Sequence, residues 1–436
     1  MMRKSRFYKL LCVSLAALLL LAALTGCERA VVEVEDPVLE CEEGAISLSF
    51  YEFLLSRMKG TLARNKYEVK DPAFWATEIE GMGETYESYY NAAILENCKN
   101  YLAASVLFDR EKLSLNQATL DAIDEEVNFY IDYDGQKSEE KFNALIEKYG
   151  VDADSLREAY ILEAKYELLL SYLYGGGSLI AGSVKEEFYR ENYVRFKQIM
   201  FPSFYYEYER DEQGNIIYFD TETGEPLYDT DGVYIYDESG NRVKDKYGNT
   251  IYYNTDGKIV YDTEKGQPSV VVDETGVGVQ HFFSAEELAE RKRQATELAA
   301  SLEKGNTSAF EAEKKKYVNI EGDEDAYPDG YYLSNLEKSG YEDYMLEILA
   351  LLAEMEEGEI RMLETEYGCH VIMKYGLDAG KYAEGAYAEW FGGFNDALIT
   401  KLFLDKCATV LPEITVNEEN LAKARSIKQI GTNYDY

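Results

Sequence analysis

Few residues in this chain can do chemistry. Among 436 residues there are only two histidines, His281 and His370. A two-histidine zinc helix needs H-E-x-x-H, and the chain has none. It also lacks G-x-G-x-x-G, a Walker loop and G-x-S-x-G, which argues against nucleotide enzymes and α/β-hydrolases. Asp229-Thr-Asp-Gly232 and Asn254-Thr-Asp-Gly257 open like calcium loops. Neither continues with a third acidic ligand or a terminal Glu, so both read as turns. No cofactor is expected. Acidic residues outnumber basic ones 82 to 44, for a net charge of −38. Nucleic acid is therefore not an expected partner, because affinity for phosphate comes mainly from Lys and Arg. His370 lies in the alternating run Gly368-Cys-His-Val-Ile-Met-Lys-Tyr375. Taken alone, a histidine in such a strand is most simply a packed sheet residue.

The cysteines point to a compartment. Arg3, Lys4, Arg6 and Lys9 precede the apolar run Leu10 to Ala23. That run of about 14 residues falls short of the roughly 20 needed to span a bilayer as a helix. It reads as a secretory leader. Leu24-Thr25-Gly26-Cys27 follows and resembles the bacterial lipobox, in which the Cys is lipidated and becomes the new N-terminus. Residues 1–26 are thus expected to be a lipoprotein signal peptide, Cys27 the lipid attachment site and 27–46 a spacer from the anchor. The expected location is the outer face of the bacterial cell membrane, with the bilayer as partner through Cys27. Cys41, Cys98, Cys369 and Cys407 are too few for a disulfide scaffold, and their pairing stays open.

The elements that position these residues follow from periodicity. With 46% hydrophobic and 29% charged residues, the chain has enough apolar content for a packed core. Residues 47–193 read as helices. Starts are expected at Ser114-Leu-Asn-Gln117, Ser138, Asp154 and Ser183-Val-Lys-Glu186, and Gly150 and Gly175-Gly-Gly177 are expected stops. Val194–Phe201 alternates like a strand. Over 205–276, glycines recur every eight to ten residues between short β-prone runs, with 11 tyrosines and an acidic excess. This is a degenerate array of β-hairpins. Helices are expected after the Ser284-Ala-Glu-Glu287 cap, over 308–316 and over 341–356, with an extended piece at 331–334 and a strand at 368–375. Residues 382–404 are expected to form one amphipathic helix with Trp390, Phe391 and Phe394 on its apolar side, and a further helix follows Asn417.

These elements carry a family resemblance. Gly358-Glu-Ile-Arg-Met-Leu-Glu-Thr-Glu-Tyr-Gly-Cys-His-Val-Ile372 resembles the closing stretch of the parvulin-type peptidyl-prolyl isomerase domain. Ala300-x-x-Glu-Lys-Gly-Asn-x-x-x-Phe310 is similar to that family's helix ending in Gly before Phe, and Asp329-Gly-Tyr-Tyr-Leu333 occupies the place of its Gly-rich segment. Glu186-Phe-Tyr-Arg-Glu-Asn-Tyr-Val-Arg-Phe-Lys197 resembles the junction entering this domain in PrsA-like and SurA-like foldases. The resemblance implies an α+β chain: a helical chaperone lobe over 47–193, a parvulin-like domain over 194–376 carrying the 205–276 array, and 382–436 packing back on the lobe. It implies a membrane-anchored folding factor, a peptidyl-prolyl isomerase and chaperone acting on unfolded or newly secreted polypeptides. The alternatives are an inactive holdase and a surface-binding lipoprotein whose array is the binding element.

The resemblance also implies a site. The family places two facing histidines on neighbouring strands, a Cys or Asp nearby and an apolar lining. His370 matches the second histidine, and the first falls on Gln198, which leaves a Gln–His pair. The Cys/Asp position falls near Ile320, which offers no polar group. Met200, Leu333, Tyr341 and Met345 fall among the substrate-lining positions. A second register would use Val277–Phe283 as the first strand, with His281 as the missing histidine. The array lies between the first strand and first helix; either its acidic and aromatic faces suit Lys- and Arg-rich clients, or it is a solvated insertion.

Overall fold

The computed structural model describes residues 34–79, 82–317, 327–336, 341–388 and 390–436. Cys27, the leader and Ile320 lie outside the described residues. The described residues form two compact units: those up to Gly182 together with Gly393–Tyr436, and those within Ser183–Gly392.

The first unit opens with a hairpin of β1 (Pro37–Cys41) and β2 (Gly44–Ser47). Residues 37–46 are therefore not spacer: Val38, Leu39 and Ile46 are fully buried, and apolar residues of this kind anchor the segment to the core. Helix α1 (Leu48–Arg64) starts where the Ser47 hydroxyl accepts the Phe50 N–H at 3.2 Å. It is followed by α2 (Pro72–Ala76), α3 (Tyr86–Arg110), α4 (Gln117–Tyr133), α5 (Glu139–Ile146) and α6 (Ala153–Tyr174). In this unit two starts differ from expectation by local cap chemistry. Asn116, not Ser114, caps α4 through a 2.9 Å bond from the Thr119 N–H. Asp152, not Asp154, opens α6, in a reciprocal capping box with Ser155. Gly175 ends α6 in the left-handed region, φ 52°. Phe53, Cys98, Phe108, Phe142, Leu156 and Leu169 lie in the resulting core.

Helix α7 (Gly182–Asn192) leads from Ser183 into the second unit and its ten-residue strand β3 (Tyr193–Pro202). The chain then enters the hairpin array. Its short strands are β4 (Phe204–Tyr206), β5 (Tyr218–Phe219), β6 (Val233–Tyr234), β7 (Tyr252–Tyr253), β8 (Gln267–Pro268) and β9 (Gln280–Phe282). The root of the array is the β4–β9 pair, Phe204 opposite Phe282, so the array extends beyond 205–276. One turn recurs. The Oδ1 atoms of Asp211, Asp237 and Asp245 each accept the N–H groups two and four residues on, at 2.8–2.9 Å. The glycine three residues after each Asp has φ between 80° and 94°, which only Gly adopts freely. Asp229 and Asn254 direct their side-chain oxygens to turn N–H groups in the same way.

After the array come α8 (Ala285–Ser301), α9 (Thr307–Lys314), β10 (Tyr331–Ser334), α10 (Asp343–Glu354), β11 (Ile360–Thr365) and β12 (Gly368–Tyr375). Ser284 and Glu287 form the expected capping box on α8. Strands β10, β3, β12 and β11 lie in that order in one antiparallel sheet. Because side chains alternate, each strand supplies both faces. Ile199, Phe201, Val371 and Met373 pack on Ala295 and Leu298 of α8 and Phe310 of α9. Phe196, Leu333 and Ile372 pack on Ile348, Leu349 and Leu352 of α10. Strand β11 had not been expected; it pairs with β12 from Ile360↔Met373 to Thr365↔Gly368.

Residues 382–404 do not form one helix. Two single 3₁₀ turns, Lys381–Ala383 and Gly385–Tyr387, come first. Trp390 and Phe391 leave the helical pattern to pack on Tyr331, Tyr332, Tyr189 and Tyr193 of the second unit. Gly393, φ 79°, then starts α11 (Phe394–Ala408), and the chain is back in the first unit. There β13 (Thr415–Val416) pairs with β1, followed by α12 (Glu418–Leu421). Lys59 of α1 donates to the carbonyls of Ile427, Lys428 and Ile430 at 2.8–3.1 Å. The four described cysteines, Cys41, Cys98, Cys369 and Cys407, are all unpaired.

Candidate functional site

The sheet register decides which polar groups meet. His370 stands opposite Met200, and Ile372 opposite Gln198. Gln198 and His370 are thus diagonal neighbours on one face of the two central strands. Thr365 joins that face from β11, two residues along from Leu363, the partner of His370.

The three side chains form one chain of hydrogen bonds. His370 Nδ1 lies 2.9 Å from Gln198 Oε1, and His370 Nε2 lies 2.9 Å from Thr365 Oγ1. With the Gln198 oxygen towards the ring, the tautomer that satisfies both contacts carries its proton on Nδ1. Nε2 then accepts from the Thr365 hydroxyl, whose oxygen in turn accepts the Tyr367 N–H at 3.2 Å. Each ring nitrogen is engaged within the protein.

The ring is also sealed. His370 is 1% exposed. Tyr344 of α10 lies over it nearly parallel, centroids 6.2 Å apart and planes 13° apart. Tyr367 packs edge-on against Tyr344, and its hydroxyl donates to Glu342 at 3.2 Å. Burial disfavours the imidazolium and pushes the His370 pKa down to about 4. The ring is therefore neutral across the physiological range.

Of the other expected site residues, Met200 and Leu333 share that face of the sheet, whereas Tyr341 lies just before α10 and Met345 on it. Leu333 is buried in the core beneath α10. Tyr341 accepts the Ser334 N–H on its hydroxyl at 2.7 Å and packs beside that core. Met200 and Met345 are half-buried. Met200 also lines an open depression of about 1030 Å³ bounded by Pro202, Phe204, Tyr205, Phe283 and Tyr317. The second register is not adopted. His281 sits on β9 opposite Tyr205, about half-exposed, with Nε2 2.8 Å from Glu207. The long strand β3 makes the sheet instead, because it supplies eight paired positions to β12.

Two groups were missed from sequence, Thr365 and Tyr344. Thr365 shares parity with Leu363 and so faces His370, a signal visible only once 360–365 is read as a strand. Tyr344 becomes a cover for the ring through the way α10 crosses the sheet, which no local pattern reports.

No family model matches the chain, and no curated protein matches it. Among solved structures, PrsA from Bacillus subtilis aligns at 15% identity over 78% of this chain and 85% of that one, TM-score 0.16. The foldase protein PrsA from Streptococcus pneumoniae str. Canada MDR_19A aligns at 8% identity over 80% of this chain and 98% of that one, TM-score 0.19. Among the described residues no helix is long and apolar enough to cross a membrane.

Proposed function

We propose that the chain is a membrane-anchored, extracytoplasmic protein-folding factor whose second unit acts on X–Pro bonds of unfolded, newly secreted polypeptides. The observation that carries this reading is the Gln198–His370 pair, buried on the two central strands at the positions where the parvulin resemblance puts facing histidines. The order strand, helix, helix, strand, helix, strand in the second unit supports it, with β11 added. The barrier to be lowered is about 18–20 kcal/mol and comes from amide resonance, so no covalent step is needed. A catalyst has to favour the twisted amide over the planar one. Cys27 would hold the body at the membrane surface as its lipidated residue.

The test is a protease-free prolyl isomerisation assay on the purified chain, with His370→Ala beside it. Rate enhancement that disappears in the variant supports the reading. A rate equal to the uncatalysed one overturns the isomerase part.

A second reading is favoured by the closure of the site. His370 is sealed under Tyr344 with both nitrogens engaged, as in a purely structural network. The chain would then be a holdase, and suppression of client aggregation would survive His370→Ala unchanged.

A further inference from the structure

We infer that the hairpin array is a docking surface for cationic, apolar segments of unfolded polypeptide. This deepens the folding-factor reading by naming the class of client and the surface that takes it.

Three observations meet in the array. The first is exposed apolar surface. Of the 22 large apolar side chains exposed among the described residues, ten lie between Tyr205 and Phe282. Four are consecutive: Val233, Tyr234, Ile235 and Tyr236 are 58%, 37%, 46% and 60% exposed. Side chains alternate along this extended stretch, so Tyr234 and Tyr236 share one face, ring centroids 5.7 Å apart, and Val233 and Ile235 the other; the run offers apolar surface on both sides.

The second is charge. From Phe204 to Phe282 there are 17 acidic residues and six basic ones. The exposed apolar run is bracketed by Asp231 on one side and Asp237-Glu238 on the other. An anionic segment would meet repulsion here, and a cationic one attraction.

The third is that the array's own rings already hold cations. The Arg242 guanidinium lies 4.0 Å from the Tyr234 ring centroid, and the Lys246 ammonium 4.8 Å from that of Tyr247. Such contacts are electrostatic attraction to the ring face. They show in this chain the chemistry a Lys- or Arg-bearing client would use on the open Tyr236 ring. The array's turns are held by Asp side chains and positive-φ glycines.

The experiment uses two fluorescein-labelled peptides of about 20 residues with the same Leu and Trp content, one bearing Lys and the other Glu at the charged positions. Fluorescence anisotropy with the full chain is read at low and high salt, since screening separates the charge contribution from the apolar one. The Lys peptide is expected to bind about tenfold more tightly than the Glu peptide at low salt. Replacing Val233, Tyr234, Ile235 and Tyr236 together by Ser should weaken the Lys peptide about tenfold. A second variant, Asp231→Lys with Glu238→Lys, alters only exposed charges and should reverse the preference. Circular dichroism checks that both variants are folded. Equal binding of the two peptides, or unchanged binding by both variants, overturns the inference. So does light scattering in which the wild type self-associates through the run and the Ser variant does not, since the occupant is then a second copy. An isomerase or holdase that works without binding either peptide leaves the folding-factor reading standing and the inference refuted. Lys-peptide binding without either activity does the reverse.

Discussion

Thr365 and His370 face each other across the β11–β12 turn with Oγ1 and Nε2 2.9 Å apart, so the threonine hydroxyl completes the hydrogen bonding of a fully buried imidazole. Gln198 holds the other nitrogen. The ring is thereby fixed in orientation and in protonation state.

That arrangement predicts a pH dependence. The native His370 pKa is held down to about 4 by burial, and an unfolded histidine titrates near 6.5. Between these values the unfolded chain binds a proton that the native one does not. Stability then falls as pH drops from about 6.5 towards 4, and is fully present above 6.5. The size is about 3 kcal/mol. Urea unfolding of wild type and His370→Leu across this window should show the wild type losing that much more than the variant. Parallel curves would show that the ring is not buried neutral.

Thr365→Val keeps shape and removes the hydroxyl. Nε2 is left buried without a donor, at a cost of about 1–3 kcal/mol. A double-mutant cycle with Gln198→Leu should give a non-zero coupling, because both side chains act through one ring. Strict additivity in the denaturation midpoints would contradict the linked network.

Arg195 ties three separate segments of the second unit together. It donates to the Asp329 carbonyl at 2.6 Å, the Gly376 carbonyl at 3.2 Å and the Asp378 carboxylate at 2.5 Å. Its guanidinium also lies over the rings of Tyr332 and Tyr375. Lysine keeps the charge and loses the planar fork. Arg195→Lys should therefore destabilise by about 2 kcal/mol, within the range for breaking hydrogen bonds to charged groups. A midpoint shift no larger than that of a surface Arg→Lys control would sink the assignment.

Gly60 predicts the behaviour of the first unit. A Cβ added there would lie 1.6 Å from the Asn433 carbonyl oxygen, so helix α1 and the 431–436 segment touch backbone to backbone. Gly60→Ala is expected to cost about 3 kcal/mol despite alanine's better helix propensity. Thermal unfolding measures it, and a rise in melting temperature would mean the segment is not seated on α1.

Ser284→Ala removes one half of the capping box on α8, leaving the Glu287 N–H without its acceptor. The expected loss is about 1 kcal/mol. Ser284→Asp should restore it, since either side chain can accept from that N–H.

What depends on neighbours along the chain is legible in the residues alone. Helix caps at Ser138 and Ser284, the glycine stop at Gly175 and the Gly-punctuated turns of the array follow from side-chain-to-backbone bonds within a few residues. The strands β3 and β12, and with them Gln198 and His370, were legible from alternation. Sequence reading misplaced what depends on partners far along the chain. Residues 37–46 looked like spacer until β13 supplied a strand to pair with. Trp390 and Phe391 fitted a helical stripe, yet the aromatic residues of the second unit took them instead. The sealing of His370 by Tyr344 and its bond to Thr365 belong to the same class. Each brings together groups that periodicity treats separately, because burial and hydrogen bonding are satisfied across the sheet and not along the chain.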